Sequence, residues 1–335
     1  MKRILIKEAG GIDAVQLDNH ANSATLCTGQ LRIKVKAVSL NYRDLLVING
    51  KLGPISPEGQ VLCSDAAGEV VELADDVQEF KLGDRISLSF IPQWFSGEFT
   101  SARAPASRGY PLAGVLSEEL IVHYSEALKF PAHLSYEEAA CLPCAGVTAW
   151  HALCGVAPLY PGMTVLTQGG GGVSVFCLQF AKLFGARVIA LSSSEERCAQ
   201  LRELGADEII NYRQHPDWVV KVKELTDGVG VDLAVDLGGA GTVNQSVAAL
   251  KKGGRLALVG LLDGWPQTID GLFASRIDVT PVTVGSRHDF ELMNRAISFH
   301  KLKPVIDRIF PFDDINLALR YLESGKQFGK IVINV

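Results

Sequence analysis

Residues 167–176, TQGGGGVSVF, place four consecutive glycines between the apolar run MTVLT (163–167) and an apolar stretch that continues to residue 184. A linker and a phosphate cradle can both be rich in glycine, so the flanks have to separate them. Val173, Phe176, Cys177, Phe180, Ala181 and Phe184 recur at helical spacing, which gives the following helix one buried face. A helix pinned in this way holds its first amides in one place, where they attract an anion. Gly169 permits a sharp turn out of the preceding strand, and Gly171 lets the backbone approach a pyrophosphate with no Cβ in the way. Gly172 and Val173 continue the fingerprint into the helix. Ser174 stands where a third glycine usually allows close helix–strand packing, and serine is the next-smallest polar choice. A glycine fingerprint alone is weak evidence; its surroundings decide.

Those surroundings alternate. Strands are predicted at 163–167, 187–191, 208–211, 231–237, 255–261 and 278–285, with helices at 172–184, 195–204, near 217–226 and at 242–250. Strict alternation implies right-handed crossovers and a parallel sheet covered on both faces, a doubly wound α/β dinucleotide fold. Upstream of it, LSYEEAACLPCAGVTAWHAL (134–153) reads as helix, with Ser135 and Glu138 spaced as a capping box. The first 125 residues read instead as β-rich: in LRIKVKAV (31–38), Leu31, Ile33, Val35 and Ala37 fall on one face. Residues 92–117, rich in Pro, Gly and Ser, read as a surface excursion. The chain turns mixed again near Phe290 and ends in the strand-like GKIVINV, which is expected to rejoin the β-rich part. The expected domains are therefore 1–125 completed by 287–335, and 126–286.

The stretch after the second strand bears on the cofactor. An NAD enzyme carries an acid about twenty residues beyond the glycines to hold the adenosine ribose. Here the strand runs into Ser192, Ser193 and Ser194 and then Arg197, groups that would accept a 2′-phosphate. That favours NADP(H) over NAD(H). Ser193 also reads as a helix N-cap with Glu196 closing a capping box, and a cap serine can still face a ligand. Glu195 and Glu196 bring opposing negative charge.

Bulk properties narrow the class. At 47% hydrophobic and 21% charged residues the chain is neither disordered nor fibrous, and its 335 residues exceed one small core. A formal charge of −5, with acids and bases interleaved, argues against nucleic-acid or anionic-lipid partners. No apolar run approaches the ~20 residues of a membrane helix, and Lys7 and Glu8 end the first apolar run too early for a secretory signal. The seven cysteines, odd in number and mostly in apolar runs, suggest reduced thiols and a cytoplasmic address.

The segments SLNYRDLL (39–46), CSDAAGEVVELADDVQEFKLGDRI (63–86), LPCAGVTAWHAL (142–153), GGGGVS (169–174) and LGADEIINYR (204–213) together resemble the medium-chain dehydrogenase/reductase superfamily. The resemblance spans essentially the whole chain. It implies a GroES-like broken β-barrel beside a Rossmann domain, and it is greatest to the zinc-free, quinone-reductase-like members and their alcohol-dehydrogenase-like relatives. The positions of the catalytic zinc ligands fall on Asn41, Ser64 and Cys144, and the structural-zinc region of roughly 85–115 contains no cysteine. One thiolate cannot hold a catalytic zinc, so none is predicted. The relay hydroxyl of the zinc enzymes falls on Arg43.

From the resemblance, Asn41 lies beside the nicotinamide as a hydrogen-bond donor, with Asp44 in the same motif and Tyr42 as a candidate proton donor. Thr148 lies against the nicotinamide ribose, Tyr212 on the cofactor side, and Gly285 and Ser286 at the carboxyl end of the sixth strand. Trp94, Phe95 and Cys144 are candidates for the substrate pocket. Each has a plainer alternative: Asn41 and Asp44 as helix caps, Tyr42 and Cys144 as packing, Trp94 and Phe95 as residues that close a surface loop. Lys330 could bring a cation back toward the cofactor or stand in solvent. The proline in DVTPVTVG (278–285) fits an edge strand, and the resemblance implies a homodimer through it. The expected function is NAD(P)H-dependent hydride transfer to a small electrophile, a quinone or an α,β-unsaturated carbonyl. The alternatives are alcohol or aldehyde dehydrogenation, or a non-catalytic NADPH-binding sensor or structural protein.

Overall fold

A computed structural model describes residues 1–19, 24–260, 264 and 268–335. The chain forms two compact units, Met1–Val147 with Ser286–Val335, and Thr148–Gly285. In the second unit six strands run in the order Glu208–Asn211, Arg187–Ser192, Thr164–Gln168, Val231–Asp236, Leu250–Leu258, Asp278–Pro281. Every neighbouring pair is parallel. The earliest strand lies inside the sheet, and the order reverses beside it, which opens the crevice such folds use for ligands. Val165, Leu166, Ile189, Leu233 and Ala234 are wholly buried, because helices cover both faces. On the helix Gly172–Leu183, Phe176, Cys177, Phe180 and Ala181 are the buried stripe that the spacing predicts.

Two strands differ from expectation. The fifth starts at Leu250 rather than residue 255, because a register shift lets Leu250 pair with Val231 and Arg255 with Leu233. Gly253, at φ +71°, takes up the excess chain. The predicted end of this strand, Leu261, lies outside the described residues. The sixth strand stops at Pro281 instead of residue 285, one bond after which Val282 N still reaches Leu258 O at 2.8 Å. It is an edge strand, as its proline requires.

The first unit holds a seven-stranded sheet. Ile306–Pro311, Lys330–Asn334, Gln30–Ser39, Asp65–Leu73, Arg85–Leu88 and Ala127–Lys129 follow one another, and Glu119–His123 also pairs with Gln30–Ser39. The late strand Lys330–Asn334 lies antiparallel to Gln30–Ser39, which carries the end of the chain back to its β-rich part. Leu31, Ile33, Val35 and Ala37 all point into the core. The boundary with the second unit falls at residue 147, not at 125. Ala127–Lys129 pairs with Arg85–Leu88, and the helix Tyr136–Ala140 packs on Gln30–Ser39 and Asp65–Leu73. Ser135 and Glu138 cap this helix reciprocally, at 2.8 and 3.2 Å. The long helix read at 134–153 is broken: π-helical turns at Leu142–Gly146 and His151–Gly155 flank the short helix Val147–Trp150. Pro143 lacks the N–H that a regular helix would need there.

Among the described residues no helix is long and apolar enough to cross a membrane, and all seven cysteines are free.

Candidate dinucleotide cradle and candidate active site

The glycine run leaves the strand Thr164–Gln168 through Gly169 at φ +80°, whose N–H donates to Leu191 O at 2.7 Å. Gly171 is the N-cap of the helix Gly172–Leu183 and brings no side chain to its first amides. A Cβ added at Gly171 would meet nothing within 4 Å. The helix start therefore presents open amides beside open space, which fits a pyrophosphate. Ser174 is buried, and its hydroxyl donates to Gln168 O. It fastens the first helical turn to the strand end, a role glycine could not fill. Gln168 in turn donates through Nε2 to Ser246 Oγ at 2.7 Å and Asp236 Oδ2 at 3.2 Å. The buried Asp236 also accepts from Ser246 Oγ (2.5 Å), Thr242 Oγ1 (2.9 Å) and Gly239 N (2.9 Å). This network ties the carboxyl ends of two neighbouring strands together. Sequence reasoning passed over it, although an acid directly after the apolar run LAV, at the end of VDLAVD, was a visible signal.

At the end of the second strand, Ser192 is buried and Ser193 half-buried. The cap of the helix Glu195–Glu203 is Ser194, which accepts from Arg197 N at 3.4 Å. The expected Ser193–Glu196 capping box is not formed, since the helix begins one residue later and its third position is Arg197. Ser193 is thereby spared. Glu195 Oε1 accepts from Asn211 Nδ2 at 2.7 Å and Gln214 Nε2 at 3.0 Å, so its charge is already engaged. Tyr212 follows the third strand, bonds Ser192 O through its N–H at 2.9 Å and is half-exposed. Thr148, buried in the helix Val147–Trp150, and Gly285 are the first and last residues of this unit. Ser286 begins the return to the other unit and caps the helix Arg287–His300, its hydroxyl donating to Asp289 Oδ2 at 2.7 Å.

The first unit assembles a polar cluster at the start of the helix Tyr42–Ile48. Asn41 is the N-cap and forms a capping box with Asp44, its N–H donating to Asp44 Oδ2 at 2.7 Å. The Asn41 side chain has further partners: Oδ1 accepts from Lys330 Nζ at 2.6 Å, and Nδ2 donates to Ser64 Oγ at 3.4 Å. Ser64 Oγ donates to Asp65 Oδ1 at 2.6 Å, and Cys144 N donates to Asp65 Oδ2 at 3.2 Å. Lys330 is 3% exposed, and Ser64 and Asp65 are fully buried. Burial pushes the Asp44 carboxyl up to about 6 and raises Asp65 as well, against the opposing pull of Lys330 on both. Enclosure, with the Asp65 carboxylate next in weight, pushes the Cys144 thiol up to about 12. Cys63 sits beside Ser64 at φ +65°, a left-handed conformation unfavourable for a side-chain-bearing residue.

Asn41, Ser64 and Cys144 do come together, as their shared correspondence with zinc ligands implies. As donors they do not fit zinc: they offer an amide, a hydroxyl and a single cysteine sulfur, with a lysine alongside. Among the described residues no three His, Cys, Asp or Glu side chains are grouped to hold a metal ion.

Arg43 and Trp94 donate to groups other than the Asn41, Ser64, Asp65 and Lys330 side chains. Tyr42 is 44% exposed, and its hydroxyl makes no hydrogen bond among the described residues. Trp94 is 2% exposed, donates to Gly97 O at 3.0 Å and meets Phe99 edge-on at 5.1 Å. Phe95 is exposed, and its carbonyl accepts from His288 N at 3.0 Å. Arg43 supports the 92–117 excursion, donating to Arg108 O, Ser107 Oγ and Tyr110 O at 2.7–2.9 Å.

Residues 172–298 match the zinc-binding dehydrogenase family, and residues 28–132 match the alcohol dehydrogenase GroES-like domain. A zinc-type alcohol dehydrogenase-like protein of Schizosaccharomyces pombe is 33% identical over 344 residues, covering 100% of this chain and 99% of that one. The crystal structure of an NAD-dependent alcohol dehydrogenase superposes with a TM-score of 0.90 at 30% identity, over 100% of both chains. A Pseudomonas syringae quinone oxidoreductase superposes at 0.84 with 25% identity, over 100% of this chain and 99% of that one.

Proposed function

The chain belongs to the medium-chain dehydrogenase/reductase superfamily, and from that premise we propose an NADP(H)-dependent reductase that acts on quinones or α,β-unsaturated carbonyls without zinc. The observation that carries this reading is the donor set at Asn41, Ser64 and Cys144. Bound as NADPH, the cofactor would supply the hydride. The amides at Gly171–Gly172 hold the pyrophosphate, and the fastened strand ends keep them aimed. Asn41 Nδ2 donates to the oxygen that gains charge. With no Lewis acid to polarise a carbonyl, an acceptor that is already electrophilic is favoured. Ser192, Ser193 and Arg197 suit a 2′-phosphate, and the engagement of Glu195 by Asn211 and Gln214 removes an objection to it. The edge strand Asp278–Pro281, with Phe273 nearby at 99% exposure, supports a homodimer that extends the sheet.

Alcohol or aldehyde dehydrogenation is the second reading, favoured by what the zinc-type and NAD-dependent relatives are called. One experiment separates the two. Metal-free protein is titrated with NADPH and with NADH by nicotinamide fluorescence, repeated with Arg197→Ala, then assayed on quinones, enones and alcohols before and after zinc is added. NADPH binding at least about tenfold tighter, a preference the mutation abolishes, with zinc-independent quinone or enone reduction, is the expected result. Equal binding of the two cofactors, or activity that appears only with zinc, overturns it.

A further inference from the structure

Gly329 at φ +87° turns the chain into the strand Lys330–Asn334, at a place where a Cβ would lie 2.4 Å from Val305 O. The turn delivers Lys330 into the core of the first unit, its N–H held by Val305 O at 2.9 Å. The buried ammonium donates to Leu40 O and to Asn41 Oδ1, each at 2.6 Å. An ammonium can only donate, so this contact settles which end of the Asn41 amide is which. Oδ1 faces the lysine and Nδ2 faces the other way. Nδ2 carries two hydrogens: its bond to Ser64 Oγ is long at 3.4 Å, and a hydrogen bond from the same amide also draws the Asp65 carboxyl down against the effect of burial. Asp65 balances the charge from the Nδ2 side, accepting from Ser64 Oγ at 2.6 Å and from the Asn41 amide.

The geometry points to Lys330 as the positioning residue of this site: it locks the Asn41 amide with Nδ2 as the oxyanion donor and sets behind it the positive charge that a metal would otherwise bring. The inference rests on the reductase reading above. As the acceptor carbon gains a hydride from reduced nicotinamide, its π pair moves to oxygen. Asn41 Nδ2 donates to that oxygen until a proton from water completes the hydroxyl, and the cofactor is left oxidised. A cation drawing on Oδ1 polarises the amide and strengthens Nδ2 as a donor.

The test compares full-length wild type, Lys330→Met and Lys330→Arg. Kinetics with 9,10-phenanthrenequinone are measured alongside NADPH affinity, melting temperature and solvent exchange of the Asn41 side-chain amide in asparagine-labelled protein. Asn41→Ala identifies the resonance. In Lys330→Met, kcat should fall about 100-fold while KM and the NADPH Kd stay within about threefold. Lys330→Arg, which keeps charge and donors, should recover at least about a tenth of the wild-type kcat. The Asn41 amide should exchange at least about ten times faster in Lys330→Met than in wild type. A kcat unchanged in Lys330→Met overturns the inference, as do unchanged amide exchange or equal loss in both variants with a lowered melting temperature. If wild type reduces no quinone or enone, the reductase reading fails, and amide exchange alone decides whether Lys330 locks Asn41.

Discussion

The glycine cradle and the Asn41 cluster achieve fixed geometry by opposite means. In the cradle the ligand-facing surface is backbone, freed of side chains at Gly169 and Gly171, and the side chains that matter (Ser174, Gln168, Asp236) work from behind. In the cluster the facing groups are side chains, and a buried lysine and a buried aspartate each brace one of them. A backbone device loses function when something is added to it. A side-chain device loses function when something is removed.

That contrast can be broken most sharply at Gly171. Gly171→Asp supplies a better N-cap into empty space, so stability should stay within about 1 kcal/mol of wild type. Its carboxylate would occupy the anion site, and NADPH affinity should fall at least about 100-fold by fluorescence titration. Simultaneous loss of folding would show that the loop is not open. In the cluster, Asn41→Ala is the removal. We expect kcat to drop about 100-fold with NADPH affinity unchanged, and a fall confined to KM would sink the oxyanion role.

Asp44 sharpens the comparison through pH. Its carboxyl titrates near 6 when folded, against 3.8 for the free group, so the native state keeps a proton that the unfolded chain gives up. Stability from this group is full below pH 4 and declines as pH rises to 6, by about 2–3 kcal/mol. Asp44→Asn should flatten that segment of a denaturant-monitored stability profile; an unaltered slope would place the titration elsewhere. The smallest effect belongs to the cradle's support. Ser174→Ala removes the bond to Gln168 O and should cost about 1 kcal/mol, with a modest loss of NADPH affinity.

The two regions also differ in how far they could be read from sequence. The cradle is local: glycines, helical spacing and strand alternation can be read along the chain, and the six expected strands do form one parallel sheet. Its finer points escaped where neighbours compete, as when three successive serines left the cap one position from its expected place. The cluster draws on residues that folding alone brings together, Asn41 and Lys330 being 289 positions apart. Nothing near GKIVINV says whether its lysine is solvated or buried. Residues 126–147 misled for a related reason. Their helical pattern resembles that of the nucleotide-binding unit, but the surfaces that bury them belong to the β-strands of the first unit.

The pairing of Lys330–Asn334 with Gln30–Ser39 also governs when, during synthesis, each half can be finished. The parallel sheet is continuous in Thr148–Gly285 and can form as soon as that stretch has left the ribosome. The Asn41 cluster must wait for a strand translated after it. A nascent chain therefore has its nucleotide-binding fold before its lysine. The strand that completes the Asn41 cluster is the last to emerge.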